Sequence, residues 1–467
     1  MAPDGGTVLF VTYEFPPTGG AGVQRVAKFA RYLPGHGWRA VVLSAEHVPG
    51  RVLDETLAAE VANVEVRRTP ARPLNAWVSR LVVAAREVVT ASARRGLPVA
   101  GSDQPLKRAR TVSATGRPGL AERITRSFGV PDYAALWIGP AVREGVRLGK
   151  ASGARVVLAT GPPFSALVAG MRIARRLDVP LVADFRDAWR DNPGNVWSPS
   201  VWHRRRQLAL ERQVLSAAAA VTSANPITGE IQDLRGPAPE LIPNGFDRAE
   251  VPAWSPDSRG PLVVTFMGTI YSITDPLPVL EALRLLRATR DRRDIDIRLR
   301  IVGRWPSYVE GVVAELGLED VVEFWSYRPH AEALAVVAAS DVGLIVLADL
   351  ALAQGAPAKL YEYLGIGLPV LYVGPVAGHA QDLIAEAEAG IAVPYGDIEA
   401  IADALVRLAV LKQSGNLAGA RRPEVVARYE RQGQASTLAA LFERVTAGTA
   451  LGGPGLEGPG VVDAHGA

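Results

Sequence analysis

The stretch TVLFVTYEFPPTGGAGVQR, residues 7–25, sets the fold class. It opens with an apolar run, passes through a turn rich in Pro and Gly, and enters a segment of helical period at residue 22. A strand buried on both faces that feeds directly into a helix is the repeating unit of a parallel sheet covered by helices. The unit recurs. AVVLS (40–44), RVVLAT (155–160), PLVADF (180–185) and AVTSA (220–224) read as further strands, with helical stretches at 22–33, 164–177 and 201–218. A second series starts at PLVVTFMG (261–268) and runs through IRLRIVG (297–303), VVEFW (321–325), DVGLIVL (341–347), PVLYVG (369–374) and GIAVP (390–394). Between the series, VPAWSPDSRGP (251–261) has the Pro, Ser and charge of a linker. The reading is α/β: two Rossmann-like domains whose parallel sheets face each other across a cleft. The first covers 1–250, the linker 251–261 and the second 262–421. A helix over 422–447 follows, with the first domain as a surface it could pack back on, and the Gly/Pro-rich tail 448–467 is expected to be disordered.

Composition narrows the chemistry. A chain of 467 residues without cysteine has no disulfide, no thiol nucleophile and no thiolate metal site. Six histidines without an H-E-x-x-H pair argue against a catalytic zinc, so no metal and no cofactor are expected. No charged-then-apolar leader opens the chain, and no uncharged apolar stretch approaches ~18 residues, so a cytoplasmic protein is expected. Residues 1–250 carry 33 Lys+Arg against 22 Asp+Glu, a net +11, and the remainder carries 18 against 26, a net −8. A basic half beside an acidic half suits a two-domain enzyme better than a nucleic-acid binder. Residues 72–128 show no clear strand, and ten Lys/Arg face three acids within 80–126. This basic insertion reads either as a solvated segment or as an amphipathic contact with an anionic membrane or a phosphorylated lipid, at the inner membrane face.

Ligands of open parallel sheets bind beyond the carboxyl ends of the strands. Two loops there stand out. In the first, Gly19, Gly20 and Gly22 allow close backbone approach at a helix start, where free amides favour phosphate. The G-x-G-x-x-G spacing of a nicotinamide site is absent. The second is QGAPAKLYEYLGIGLPV (354–370), where Pro357 suits a first helical turn and the amides of Ala358, Lys359 and Leu360 are expected to be free. Lys359 places a cation at the positive end of a helix, which makes sense beside an anion. Glu362 lies where it could accept hydrogen bonds from a vicinal diol such as a ribose. Of the lesser signals, Asp294-Ile295-Asp296 lies at the strand end away from the cleft and reads as surface, and HRRR (203–206) reads as a solvated helix face.

LIPNGFD (241–247), QGAPAKLYE followed by GLPV, the PPTGGAGVQR opening and FRDAW together resemble glycosyltransferase family 4, retaining enzymes of the GT-B fold, and within it bacterial sugar transferases. The resemblance covers nearly the whole chain except 72–128 and the tail. It implies an acceptor-binding first domain, a donor-binding second domain and a nucleotide-diphospho-sugar between them, without a metal. In the family pattern two glutamates separated by seven residues bind the donor sugar and the ribose. The second is Glu362 here, and Gln354 stands at the first, keeping the hydrogen bonds but not the charge. The Arg and Lys that often bind the diphosphate are replaced by Thr269 and Thr274. Donor binding then falls to Gly19, Gly20, Gly268, Arg304, Lys359 and the amides around it, with Tyr327 and Arg328 of WSYRPHAEAL lining the nucleobase pocket. The family's His after the fourth strand is also missing, its place taken by ATGPPF (159–164). Asp187 is expected to orient the acceptor hydroxyl or the sugar, with Arg186 as its ion-pair partner, so Asp187 and Gln354 are the catalytic candidates.

The resulting expectation is a metal-independent hexosyltransferase that moves a sugar from a nucleotide-diphosphate donor to an acceptor hydroxyl, lipid-linked or soluble, in polysaccharide, glycolipid or natural-product biosynthesis. The alternatives are a non-catalytic GT-B protein that binds a nucleotide sugar, suggested by Thr269, Thr274 and Gln354, and a nucleotide-sugar epimerase. The epimerase needs acid/base carboxylates and histidines around the sugar, and the cleft loops look poor in both.

Overall fold

The computed structural model describes residues 6–46, 53–71, 129–190, 200–226, 236–257, 259–289, 296–348, 355–419 and 421–451. The first half runs β1 (Thr7–Val11), α1 (Ala21–Tyr32), β2 (Arg39–Ala45), α2 (Glu55–Glu60), β3 (Glu65–Thr69), α3 (Ile138–Ser152), β4 (Ala154–Gly161), α4 (Ser165–Leu177), β5 (Leu181–Phe185), α5 (Val201–Ala217), β6 (Ala220–Ser223) and β7 (Pro239–Leu241). These strands form a parallel sheet in the order β3-β2-β1-β4-β5-β6-β7. The second half runs β8 (Leu262–Thr269), α6 (Leu277–Ala288), β9 (Ile297–Arg304), α7 (Tyr308–Glu315), β10 (Val322–Ser326), α8 (His330–Ala338), β11 (Val342–Val346), α9 (Ala358–Ile366), β12 (Val370–Val373), α10 (His379–Glu386), β13 (Gly390–Val393) and α11 (Ile398–Gln413). Its parallel sheet has the order β10-β9-β8-β11-β12-β13. In both sheets the order reverses beside the first strand, between β1 and β4 and between β8 and β11. Those two points are where an open sheet leaves a crevice for a ligand. This is the architecture of two Rossmann-like domains facing across a cleft that the sequence implies.

The unbroken apolar strands are explained by cover on both sides. Leu9 and Val11 of β1 join a core built with α3 and α4, while Val8 and Phe10 point the other way into a core built with α1. That second core is completed from the far end of the chain. Where one helix is expected over 422–447, the structure has a short α12 (Pro423–Ala427) and then α13 (Arg431–Leu451). Ala435, Leu438 and Phe442 of α13 pack with Val26 and Phe29 of α1, and Phe442 meets Trp38 edge-on at 5.2 Å. Of the tail, residues 448–451 extend α13 and 452–467 lie outside the described residues.

The segment after β7 fastens the two halves together. The amide of Phe246 donates to the carbonyl of Tyr429, and the amide of Arg431 donates to that of Phe246. A Cβ on Gly245 would come within 2.1 Å of the Tyr429 oxygen, so only glycine fits this crossing of two backbones. Past it, Trp254 donates to the Ser340 carbonyl at 2.9 Å and lies under the Arg421 guanidinium, so 251–257 runs along the second domain. Among the described residues no helix is long and apolar enough to cross a membrane. The basic insertion 72–128 lies outside them.

Candidate functional site

The second-domain side of the cleft is floored by two glycines. Gly268, next to last in β8, pairs with Gly303 on β9, and both have φ in the left-handed range, 129° and 137°. A Cβ on Gly303 would reach 2.0 Å from the Gly268 oxygen. Over this floor comes the start of α9, whose Lys359 Nζ lies 3.9 Å from the Cβ position of Gly268 and 3.6 Å above the centre of the Phe266 ring. Burial pulls the ammonium down to about 7, partly opposed by the nearby Glu362. Pro357 is the N-cap of α9, not its first helical residue as expected, and its carbonyl takes the amide of Leu360 at 2.9 Å. The free amides at this helix end are therefore those of Ala358 and Lys359, and Leu360 is removed from the set.

Glu362 is 8% exposed, one turn further along α9. Burial raises its pKa, opposed by His330, Arg431 and Lys359. His330 Nε2 stands 3.4 Å from Glu362 Oε1, at the start of α8. Arg431, the first residue of α13, is buried, and burial together with the charge of Arg25 holds it down to about 9. Glu362 is therefore already attended by His330 on one side. Sequence reading missed both His330 and Arg431 as its neighbours.

The loop after β8 accounts for the threonines. Thr274 Oγ1 accepts from the amide of Tyr271 at 2.9 Å and donates to the Thr269 carbonyl at 3.3 Å, closing a turn over Ser272–Thr274. These residues build the loop and bring no charge. Arg304 ends β9 and is exposed, its guanidinium 5.3 Å from the ring centre of Tyr327. Tyr327 is exposed at the cleft edge, and its pKa is raised by burial and by Asp54 from the first domain. Arg328 stacks on Trp325 and reaches Glu332 at 3.6 Å, while its buried Nε has no hydrogen-bond partner. Gln354 lies outside the described residues.

On the first-domain side, Gly20 caps α1 at φ 127° and its carbonyl takes the amide of Val23 at 3.0 Å, which leaves the amides of Ala21 and Gly22 free, with Gly19 before them. Gly22 makes room for Arg186, whose Nη1 would lie 2.2 Å from a Cβ there. Arg186 follows β5 and its buried Nε has no partner. It forms no ion pair with Asp187, contrary to expectation, and acts on it only through space. Asp187 is open to solvent yet crowded by protein, which raises its pKa against the pull of Arg186. The buried ion pair of this region is a different one. Arg25 Nη2 donates to Asp184 at 2.9 Å and its Nη1 to the Pro243 carbonyl at 2.9 Å, while Thr160 and Thr222 donate to the same carboxylate at 2.7 and 2.8 Å. Burial alone would raise Asp184, but Arg25 and the two hydroxyls hold it below its ordinary value. ATGPPF, at the place of the family's His, stacks Phe164 on Trp189 with ring centres 4.6 Å apart.

Asn225 joins the two sides. Its Nδ2 donates to the Arg186 carbonyl at 2.9 Å, and its Oδ1 would lie 2.8 Å from a Cβ on Gly355, just before α9. Further out, Glu60, Asp247 and Glu250 bring carboxylate oxygens within 4.8 Å of one another. Lys28 Nζ contacts all three, at 2.5 Å for Glu60 and 3.0 Å for Asp247, so an ammonium supplies the positive charge there.

The class defined by these two sheets and their shared cleft is GT-B. Comparison with known proteins agrees. The family described as Glycosyl transferases group 1 matches residues 261–410. The sucrose-phosphate synthase of Thermosynechococcus elongatus superposes over 95% of this chain and 100% of its own, with a TM-score of 0.62 and 16% identity. HepE of Anabaena, solved in complex with UDP-glucose, covers 95% of this chain and 98% of its own, with a TM-score of 0.54 and 13% identity. WcaL of Salmonella typhimurium LT2, named for glycosyl transfer in colanic acid biosynthesis, is 26% identical over 172 residues, which are 36% of this chain and 41% of WcaL. The match thus spans well under half of that relative. In sequence and in fold the chain resembles the glycosyltransferases of family 4.

Proposed function

We propose that the chain is a retaining glycosyltransferase that moves a hexosyl group from a nucleotide-diphospho-sugar to an acceptor hydroxyl without a metal ion. The observation that carries this reading is Lys359. Its ammonium is held at the positive end of α9 over two open-floored glycines and is destabilised by burial until an anion arrives. A diphosphate laid over Gly268 would restore the charge on Lys359 and meet the amides of Ala358 and Lys359. Glu362, turned toward His330, would accept from the ribose hydroxyls, and Tyr327 would flank the base. Arg186 and the open first turn of α1 face the same space from the other domain, so the leaving diphosphate is stabilised from both sides as the glycosidic bond breaks. Asp187 would orient the attacking hydroxyl, and Gln354 would hold the sugar. In this reading the departing phosphate oxygen takes the acceptor's proton, and the protein contributes positioning and electrostatic stabilisation. The nucleotide sugar in HepE supports a donor of this type. The similarity to WcaL, named for colanic acid biosynthesis, supports a role in polysaccharide biosynthesis. In this reading the transfer takes place on the cytoplasmic side of the membrane, to a lipid-linked or soluble acceptor.

The test is calorimetric titration with UDP-, GDP-, dTDP- and ADP-sugars, with and without EDTA, followed by assay of sugar transfer with the donor that binds. Binding of one nucleotide series unaffected by EDTA, with slow donor hydrolysis in the absence of acceptor, is expected. Binding without turnover toward any acceptor would leave a nucleotide-sugar-binding scaffold, and inversion of the free sugar's configuration would leave an epimerase.

A further inference from the structure

Helices α3, α4 and α5 lie side by side on one face of the first sheet, where their apolar sides share a single core. Their outer sides are uniformly basic. Arg143, Arg147 and Lys150 are exposed on α3, and Arg172, Arg175 and Arg176 on α4. On α5 the exposed cations are Arg204, Arg205, Arg206 and Arg212. Only two acids occur on the three helices, and both are engaged: Glu144 by Arg67 and Arg147, and the buried Glu211 by Arg190. None of the three helices has an acid in its first turn, and Arg204 to Arg206 crowd the first two turns of α5, against the sense of its dipole. Such an arrangement is unfavourable in isolation and is relieved by an external anionic surface.

The same face has an apolar margin. Trp202 and Val201 at the start of α5 are 56% and 55% exposed, and Leu136, just before α3, is 45% exposed. Each of these helices runs back to the beginning of the next strand, so their starts lie at the carboxyl edge of the sheet, the edge that opens on the cleft. Gln207 of α5 donates to the Pro131 carbonyl, which holds the start of α5 beside the segment that leads to Leu136. Arg206 lies over the Trp202 ring at 5.4 Å, an indole with a cation on its face. A tryptophan with small apolar neighbours, backed by arginines on helices whose two acids are both engaged, matches the headgroup layer of an anionic bilayer, where Trp sits at the interface and Arg meets lipid phosphate. Nucleic acid would use the charge but not the exposed Val201 and Leu136.

We propose that this face docks on an anionic lipid bilayer, with Trp202, Val201 and Leu136 at the headgroup level and the cleft mouth turned toward the membrane. The orientation rests on the transferase reading, but the contact itself does not.

The experiment is cosedimentation of the full chain with phosphatidylcholine vesicles and with vesicles in which phosphatidylglycerol replaces a third of the lipid. Binding to the anionic vesicles should exceed binding to the neutral ones by about tenfold or more, since each cation near the surface adds on the order of 1 kcal/mol. Arg204→Glu with Arg205→Glu should remove most of that excess, and Arg175→Glu with Arg176→Glu provides a second pair on a different helix. Trp202→Ala should weaken the binding that survives high salt. Equal binding to both vesicle types, or unaltered binding by both Glu pairs, overturns the proposal. Capture of a DNA duplex by the same arginines without vesicle binding also overturns it and assigns the face to nucleic acid. Donor titration on the same preparations reads the transferase site independently, so the two readings fail separately.

Discussion

The two domains bring charges to the same cleft and treat them in opposite ways. Asp184, at the end of β5, is buried with Arg25 and accepts from two threonine hydroxyls, so its charge is compensated within the fold. Lys359 and Glu362, at the start of α9, are shifted toward their neutral forms, compensated in part by the 3.4 Å contact of Glu362 with His330, the Phe266 ring under Lys359 and the charge of Arg431. A buried charge with a full set of partners holds a fold together, and one held short of partners stores affinity for something that is to arrive. By that criterion the first domain's polar centre is structural, and the second domain's is the one proposed to bind the donor.

The comparison breaks most visibly at Asp184. Asp184→Asn leaves Arg25 buried opposite a neutral group and should destabilise the first domain by about 3–5 kcal/mol, read from denaturant unfolding. If stability hardly changes while donor binding is lost, the assignment of this pair to structure is wrong. Lys359→Met should do the reverse, leaving the unfolding midpoint unchanged or higher while donor affinity falls by about 100-fold in titration. Gly355→Ala sharpens the comparison at the seam. Its methyl would press on Asn225 Oδ1 at 2.8 Å, so the loop or the asparagine must shift. A loss of about tenfold in turnover with less change in donor affinity is expected, from strain of about 1–3 kcal/mol.

The remaining prediction is one of pH. Lys359 titrates at about 7 in the folded chain against an ordinary 10.5, so between those values the unfolded chain binds more protons. Unfolding free energy should therefore rise from pH 7 toward 10.5 through this group, and the rise should be missing in Lys359→Met. Parallel pH profiles for the two proteins would show that the ammonium is better solvated than its burial implies.

The inner strands of both sheets were legible because each is covered on two faces and reads as an unbroken apolar run. β3 (EVRRT) and β7 (PEL) were not, since edge strands with exposed sides carry charge and Pro. Helix α3 also escaped notice, its small residues set between scattered arginines. Of the site, Lys359 and Glu362 could be found from local pattern, because a cation in a first turn and an acid one turn later contradict the usual helix preferences. Arg25 and Asp184 are 159 residues apart, and no local pattern pairs them. The only available signal was that Arg25 falls among the apolar, core-facing positions of α1. His330 and Arg431 were missed for the same reason, as both reach Glu362 from helices distant in sequence.

The docking of α13 has a consequence for how the molecule is made. Val8 and Phe10 belong to the first described strand, and Leu438 and Phe442, which share their core, leave the ribosome only after the whole second domain. The core on the α1 side of the N-terminal sheet therefore stays incomplete while roughly four hundred residues are added, a closure of very long sequence separation. At ~5–20 residues per second that interval lasts on the order of tens of seconds. Stalled nascent chains ending before residue 430 should be digested readily in their first 250 residues, and release of the complete chain should confer resistance. The last described helix of this chain is the one that finishes its first domain.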